Sequence, residues 1–306
     1  MYNVYKNFYR NFYMRTGGFI PAMPLNQNMY PGDFFQIKNG EMVVPGNIFR
    51  KGVVSPEDVQ FGYGIKQNPA GWNFSDGVTK PYSGWGSGQG TLEGEFEFSK
   101  QVIAFAYRGS FIFRCHEPES VKIVNWSELQ QQLIIKLTQT MYSFRELYVV
   151  TETIVPSDWT LAIADSDRGE LEIVASSENF SLIDIFGHPS AKTIQSKDIA
   201  YYHTETNRKP VFFKAKKLAV QEERLQAFLS EIIADRSGTG EWVNGFFDYN
   251  FYHDPVYTAP VNEMAQTSIL DMLRANELNP NTALHYFKWA DTSLDDIEKL
   301  FLSYGS

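Results

Sequence analysis

Apolar positions in this chain recur with two periods, and the change from one to the other sets out its elements. Val4, Phe8 and Phe12 fall at every fourth position, with Lys6, Arg10 and Arg15 off that stripe. This spacing predicts a short amphipathic helix over 2–15, closed by Gly17-Gly18. Phe19–Leu25 is extended and broken by Pro21 and Pro24. Asn39-Gly40 between Phe34–Lys38 and Glu41–Val44 signals a first hairpin. Residues 67–90 are crowded with Gly, Ser, Asn and Pro and read as a long mobile loop. From Thr91 to Cys115 the period is two. Leu92, Gly94, Phe96 and Phe98 share one face, with Glu93, Glu95 and Glu97 on the other. Beyond Lys100, Phe105, Tyr107, Gly109, Phe111 and Phe113 share a face again. Two strands with a turn near Lys100 are expected.

The period then returns to that of a helix. Ser127-x-x-Gln130 has capping-box spacing, and Trp126, Leu129, Leu133, Leu137 and Met141 form one apolar stripe. Strands follow at Glu146–Val155, Thr160–Ala164, Glu170–Ala175, Ile194–Tyr202 and Val211–Leu218. Residues 1–220 thus read as an α+β domain, a twisted, mostly antiparallel sheet with flanking helices. Past residue 220 the pattern becomes helical. Leu225, Phe228, Leu229, Ile232 and Ile233 form a stripe ended by Ser237-Gly238-Thr239-Gly240. Short helices are expected at 262–275, 281–290 and 293–304, the last opened by Ser293-x-x-Asp296. Residues 221–306 therefore form a smaller helical region, with a linker around 236–260.

Charge sharpens this division. Residues 1–220 carry 22 basic and 22 acidic side chains, whereas the last 86 carry 5 and 14, so the whole net charge of −9 lies in the C-terminal region. Two parts with different work, or a solvated acidic tail, would each give such an asymmetry. Aromatic residues reach 15%, which favours pleated structure. No secretory signal and no apolar run near the ~20 residues of a membrane-spanning helix is present. Three N-x-S triplets, at Asn73, Asn125 and Asn179, then read as chance. The single cysteine, Cys115, fits a reducing compartment.

Candidate chemistry is sparse. Cys115 and His116 are neighbours on a strand and point to opposite faces, so they make no nucleophile–base pair. The five histidines are scattered, and no metal-ligand spacing occurs. The glycines at 84, 86, 88 and 90 precede a strand, so they form no phosphate loop. Asp291, Asp295, Asp296 and Glu298 lack the spacing of a calcium loop and suit a helix N-terminus. No enzyme, no cofactor and no nucleic-acid partner is expected.

Several stretches, in order, resemble the gasdermin pore-forming domain. Gly17-Gly18-Phe19-Ile20-Pro21 is similar to the family's opening strand, and Tyr30-Pro31-Gly32-Asp33 to a segment of the animal members. Leu129–Glu152 resembles a long helix followed by an L-Y-V-V-T-E strand, with the closest match at Leu147–Glu152. Val211–Leu218 resembles a late strand of the domain. The matches span about 15–218. The sequence departs from bacterial members in having no cysteine near residue 1, and from animal members in having only 86 residues after 220.

The resemblance implies an autoinhibited, non-enzymatic precursor. It would be cytoplasmic and monomeric, and after an activating protease releases the C-terminal region it would oligomerise in an acidic phospholipid membrane, in cell death or immune defence. A pore without spanning helices crosses lipid as a closed barrel. On this reading Lys6, Phe8, Arg10, Phe12 and Arg15 meet the membrane, basic groups on headgroups and rings in the interface. Phe96, Phe98, Phe105, Tyr107, Phe111 and Phe113 lie on the first inserting strands, and a second inserting region falls within 148–175 and its partners up to 218. Phe228, Ile232, Leu270, Leu300 and Phe301 make the inhibitory contacts, and Arg236 is the candidate cleavage site. The alternative is a non-enzymatic β-rich binding module for a glycan or a protein, with Trp72 and Trp85 as stacking platforms.

Overall fold

The computed structural model describes residues 2–38, 40–89, 95–138, 147–175, 186, 192–221, 283–285 and 287–302. A 3₁₀ turn at Tyr2–Tyr5 runs into helix α1, Lys6–Thr16, which ends at Gly17 in the left-handed conformation (φ 73°). The strands in chain order are β1 (Ile20–Pro21), β2 (Asp33–Lys38), β3 (Glu41–Asn47), β4 (Phe61–Lys66), β5 (Asn73–Asp76), β6 (Val78–Gln89), β7 (Glu95–Phe105), β8 (Phe111–His116) and β9 (Glu119–Ile123). Helix α2 (Trp126–Thr138) follows. Then come β10 (Tyr148–Val155), β11 (Asp158–Ala164), β12 (Glu170–Ala175), β13 (Lys192–Lys197), β14 (Ile199–Glu205), β15 (Phe212–Val220) and β16 (Phe287–Asp291). A short helix α3 (Leu294–Glu298) and a 3₁₀ turn (Lys299–Phe301) come last.

Every described strand pairing is antiparallel. The central sheet runs β1-β15-β10-β2-β3, with β16 on β15, β9 on β10 and β4 on β9. A second sheet runs β14-β11-β8-β5 and a third β13-β12-β7-β6. These two lie end to end. Each strand of one continues, after a break, into a strand of the other. The breaks fall at the same level, at Gly77, 106–110, 165–169 and Asp198.

Three clusters hold the elements. The largest lies between α1, the central sheet and the second sheet, with Phe8, Phe12, Phe111, Phe113, Trp159 and Phe212 fully buried. Phe12 stacks on Phe212 at 4.8 Å, and Phe8 meets Phe111 edge-on at 5.3 Å. The second lies under α2, whose Leu129, Leu133 and Leu137 face Phe34, Val149 and Phe287. The third sits near the break between the two outer sheets, around Ile103, Phe105, Leu171, Ile173 and Phe186.

Several expectations change. Residues 67–90 are not a loop: they form β5 and β6, because backbone pairing does not depend on the glycines having side chains. No turn occurs at Lys100, which stands inside β7. The strand is instead interrupted at 106–110, where it passes from the third sheet into the second without turning back, so Phe105 and Phe111 belong to different sheets. Helix α2 starts at Trp126, so Ser127 sits in its first turn rather than ahead of it, and the preceding Asn125 ties the helix start to 58–60, accepting from Gln60 N–H and donating to Asp58 O. Ile194–Tyr202 breaks at Asp198 into two strands. Residues 287–291 are a strand where a helix was expected, because Phe287 and Trp289 alternate along an open edge of β15. The helices expected at 225–233 and 262–275 lie outside the described residues. Among the described residues no helix is long and apolar enough to cross a membrane.

Candidate functional site

Residues 287–302 lie across two elements that are distant in sequence, β15 and α1, and clasp them together. β16 pairs with β15 from Phe287–Val220 to Asp291–Lys216, and Thr292 N–H continues the ladder to Ala215 O at 3.3 Å. Phe287 is buried in the cluster under α2, and the Trp289 indole N–H donates to Gln130 O at 2.9 Å. The exposed Asp291 meets the half-buried Lys216 at 2.6 Å.

The chain then turns over α1. Tyr13 O–H donates to Thr292 O at 2.7 Å. Ser293 caps α3 with the reciprocal box read from the sequence: its backbone N–H and its hydroxyl each reach Asp296 Oδ2 at 3.0 Å. The other oxygen of Asp296 faces the sheet. Oδ1 accepts from Lys217 Nζ at 2.7 Å and from Tyr148 O–H at 2.9 Å, with Lys299 Nζ 3.5 Å away. Tyr148 and Lys217 are cross-strand partners on β10 and β15, so a single carboxylate bridges α3 to both strands. Asp296 is only 3% exposed. Burial pushes its pKa up, but the Lys217 hydrogen bond and charge, with those from Ser293 and Tyr148, outweigh it and hold the carboxyl below its ordinary value.

The apolar face of this segment fills a hollow. Ile297 and Leu300 are buried against Ile20, Phe35, Ile37, Met42 and Tyr148. Burial of side chains of this size contributes roughly 1.5–3 kcal/mol each. Phe301 meets Tyr9 edge-on at 5.3 Å. Glu298 reaches Arg10 at 3.1 Å and Lys6 at 3.9 Å. One face of α1, at Lys6, Tyr9, Arg10 and Tyr13, is thus turned to the C-terminal segment. The other, at Phe8 and Phe12, is turned into the core.

The sequence-predicted residues divide accordingly. Lys6 and Arg10 are occupied by Glu298. Phe8 and Phe12 are fully buried, so in this state neither ring meets solvent. Arg15 is exposed, with its guanidinium 5.4 Å from the Phe74 ring. Leu300 is buried and Phe301 packs on Tyr9. Phe228, Ile232, Leu270 and Arg236 lie outside the described residues. Phe96 and Phe98 stand on β7 opposite Gly88 and Gly86. Phe105 is buried in the third cluster, Phe111 and Phe113 in the first, and Tyr107 is exposed with its hydroxyl 2.5 Å from Asp76. Trp72 is not a stacking platform, because it is buried against Phe12 and Phe19. Cys115 is buried too, and that burial pushes its thiol pKa well up, leaving little thiolate at neutral pH. Among the described residues no group of three or more His, Cys, Asp or Glu is placed to hold a metal.

Tyr13, Tyr148 and Lys217 were not foreseen. The Ser293-x-x-Asp296 box signalled one oxygen of Asp296. The partners of the other come from strands far away in the chain, and nothing local announces them.

No family model and no curated protein sequence matches the chain. Among solved structures, a bacterial gasdermin from Bradyrhizobium tropiciagri aligns over 66% of this chain and 81% of that one, at 9% identity and a TM-score of 0.24. A likeness that loose carries no argument by itself.

Proposed function

We propose that this chain is an autoinhibited, non-enzymatic pore-forming protein of gasdermin type, in which residues 287–302 hold the resting state. The observation that carries the reading is the clasp. It occupies the basic pair Lys6 and Arg10, covers the edge of β15 and is fixed to β10 and β15 through one buried carboxylate. The ordered resemblance over 15–218 supplies the class of activity. A segment that binds in this way and is joined to the rest of the chain only through residues 221–286 becomes dissociable once that connection is cut, because its effective concentration is lost. Arg236 and the stretch 236–260 are the proposed place for the cut. The partners would be an activating protease, acidic phospholipid and further copies of the chain, with a cytoplasmic precursor giving way to a membrane oligomer.

The test uses the full chain with a unique protease site introduced between 236 and 260. Dye should stay inside acidic-lipid vesicles until the protease is added, and leak afterwards. Cleavage with no leakage at any site in that window sinks the reading.

A further inference from the structure

The end of the clasp has the chemistry of an amphiphile. Asp296 presents a carboxylate, and Ile297 and Leu300 present an apolar body beside it. What receives them is built on β1, β2, β3, β10 and β15 of the central sheet. The half-buried Lys217 Nζ and the Tyr148 hydroxyl both donate to Asp296 Oδ1, at 2.7 and 2.9 Å. Beside them Ile20, Phe35, Ile37 and Met42 line the hollow that Ile297 and Leu300 fill. Tyr148 and Asp296 border the same hollow, so its polar and apolar parts are continuous. The fit leaves an apolar void of only about 10 Å³.

Packing alone does not call for the carboxylate, because apolar groups of similar volume hold a buried site as firmly as an ion pair does. An apolar hollow with a cation and a hydroxyl converging at its rim is the chemistry of a small-molecule site. We infer that this hollow is a binding site for a medium-chain carboxylate, and that α3 occupies it in cis as a built-in competitor. The ligand's head group takes the place of the Asp296 carboxylate on Lys217 and Tyr148. Its tail takes the place of Ile297 and Leu300, whose side chains together hold roughly eight carbons.

The receiving side chains stand on paired strands, which hold them in place whether or not α3 is seated. A ligand that binds only the vacated hollow draws the clasp towards its open form by mass action. Its apparent affinity in the full chain is reduced by the small fraction of molecules in which α3 has left. The site rests on the geometry of the clasp. That its occupation would free the resting chain without a protease rests on the pore-forming reading.

The test uses the full chain and sodium octanoate below its micellar concentration, with binding read by equilibrium dialysis and the clasp by hydrogen exchange. Octanoate should lower protection over 294–301 and leave β2 and β10 protected. Asp296→Ala and Lys217→Met both loosen the clasp, but only the first leaves the hollow's donors whole. Octanoate should bind Asp296→Ala on the order of tenfold more tightly than the unaltered chain, because its competitor is weakened. It should bind Lys217→Met on the order of tenfold more weakly than Asp296→Ala. Should Lys217→Met fail to fold, Tyr148→Phe added to Asp296→Ala keeps the ring and should weaken binding in the same direction. Octanol, with the same tail and no charge, should bind Asp296→Ala and Lys217→Met alike, which shows the hollow intact in both. Affinity in Asp296→Ala should rise about fourfold per added CH₂ up to about eight carbons and then level off. Equal octanoate affinity in Asp296→Ala and Lys217→Met overturns the inference. So does a gain that continues to dodecanoate, or protection lost from β2 and β10 together with the clasp, since each is the behaviour of a surfactant. Vesicle leakage is read separately, on chains cut between 236 and 260 without octanoate. If octanoate binds as expected but no cut chain leaks, the site stands and the pore-forming reading falls. If cut chains leak and octanoate does not bind, the pore-forming reading stands and the site falls.

Discussion

The central sheet and the outermost sheet use the same antiparallel ladder but are fixed by different things. In the central sheet, cross-strand partners meet through side chains. Tyr148 stacks on its partner Phe35 at 4.9 Å and shares a carboxylate with its partner Lys217. Along β6 and β7 the partners of Lys100, Phe98 and Phe96 are Gly84, Gly86 and Gly88, which have no side chain to offer. Cross-strand pairs are what stabilise and register a sheet. The central sheet is therefore pinned, while at these three positions the outer ladder has only its backbone pairing to set the register. The difference suggests a division of work, with one sheet serving as frame and the other as the part free to be rebuilt.

The largest expected effect comes from Asp296→Ala. It leaves the half-buried Lys217 and the Tyr148 hydroxyl without the carboxylate they share, and losing hydrogen bonds to a charged group in this way costs roughly 1.5–3 kcal/mol. Hydrogen exchange should show lost protection over 287–301 and along β15, with β7 and β12 unchanged. Loss of protection in both sheets together would mean that they open as one unit, and the comparison would break.

Acid should act in the same place. The Asp296 carboxyl lies below its ordinary value in the folded chain, so its contribution is complete above the unfolded pKa of about 3.9. It is lost only as pH falls through the lower folded value. Exchange protection of the clasp should hold from neutral pH down to about 5 and decline below about 4. Glu205, drawn down to about 2 against the upward push of its burial by Lys209 and Asn207, gives β14 the same sign of dependence. A clasp that loosens already between pH 7 and 5 would implicate other groups.

The smallest effect belongs to Glu298→Gln. Its pairs with Arg10 and Lys6 are each more than a third exposed, so the change should cost less than about 1 kcal/mol and vanish in high salt. A larger loss, measured by urea denaturation, would make this pair and not Asp296 the main anchor of the C-terminal segment.

Much of the frame was legible because its signals are local. The four-residue spacing of Phe8 and Phe12, the glycine after Thr16 and the Asn39-Gly40 turn each settle their element within one turn of chain. Leu147–Glu152 and Val211–Leu218 each read as strands, and the structure pairs them as β10 and β15. Strand β6 was not legible, because its alternating glycines erase the apolar period on which strand reading depends. The break at 106–110 was hidden because Phe105, Tyr107, Gly109, Phe111 and Phe113 keep perfect alternation through it. Residues 287–291 were misread because Phe287 and Trp289 fit a helix or a strand, and only the open edge of β15 decides. Of the site, one oxygen of Asp296 could be read and the other could not, since Tyr148 and Lys217 reach it through the fold alone.

Strand β16 has a practical consequence for handling the protein. A sheet edge with open N–H and C=O groups is a template for any other strand in solution. In the full chain, Lys216–Val220 has that edge covered by its own C-terminal segment. Chains truncated before residue 287 would carry an adhesive edge from the moment of synthesis, whether or not a membrane is near. Precipitation of such truncations during expression would then measure the uncovered edge and say nothing about toxicity, and residues 287–302 supplied as a separate peptide should restore their solubility.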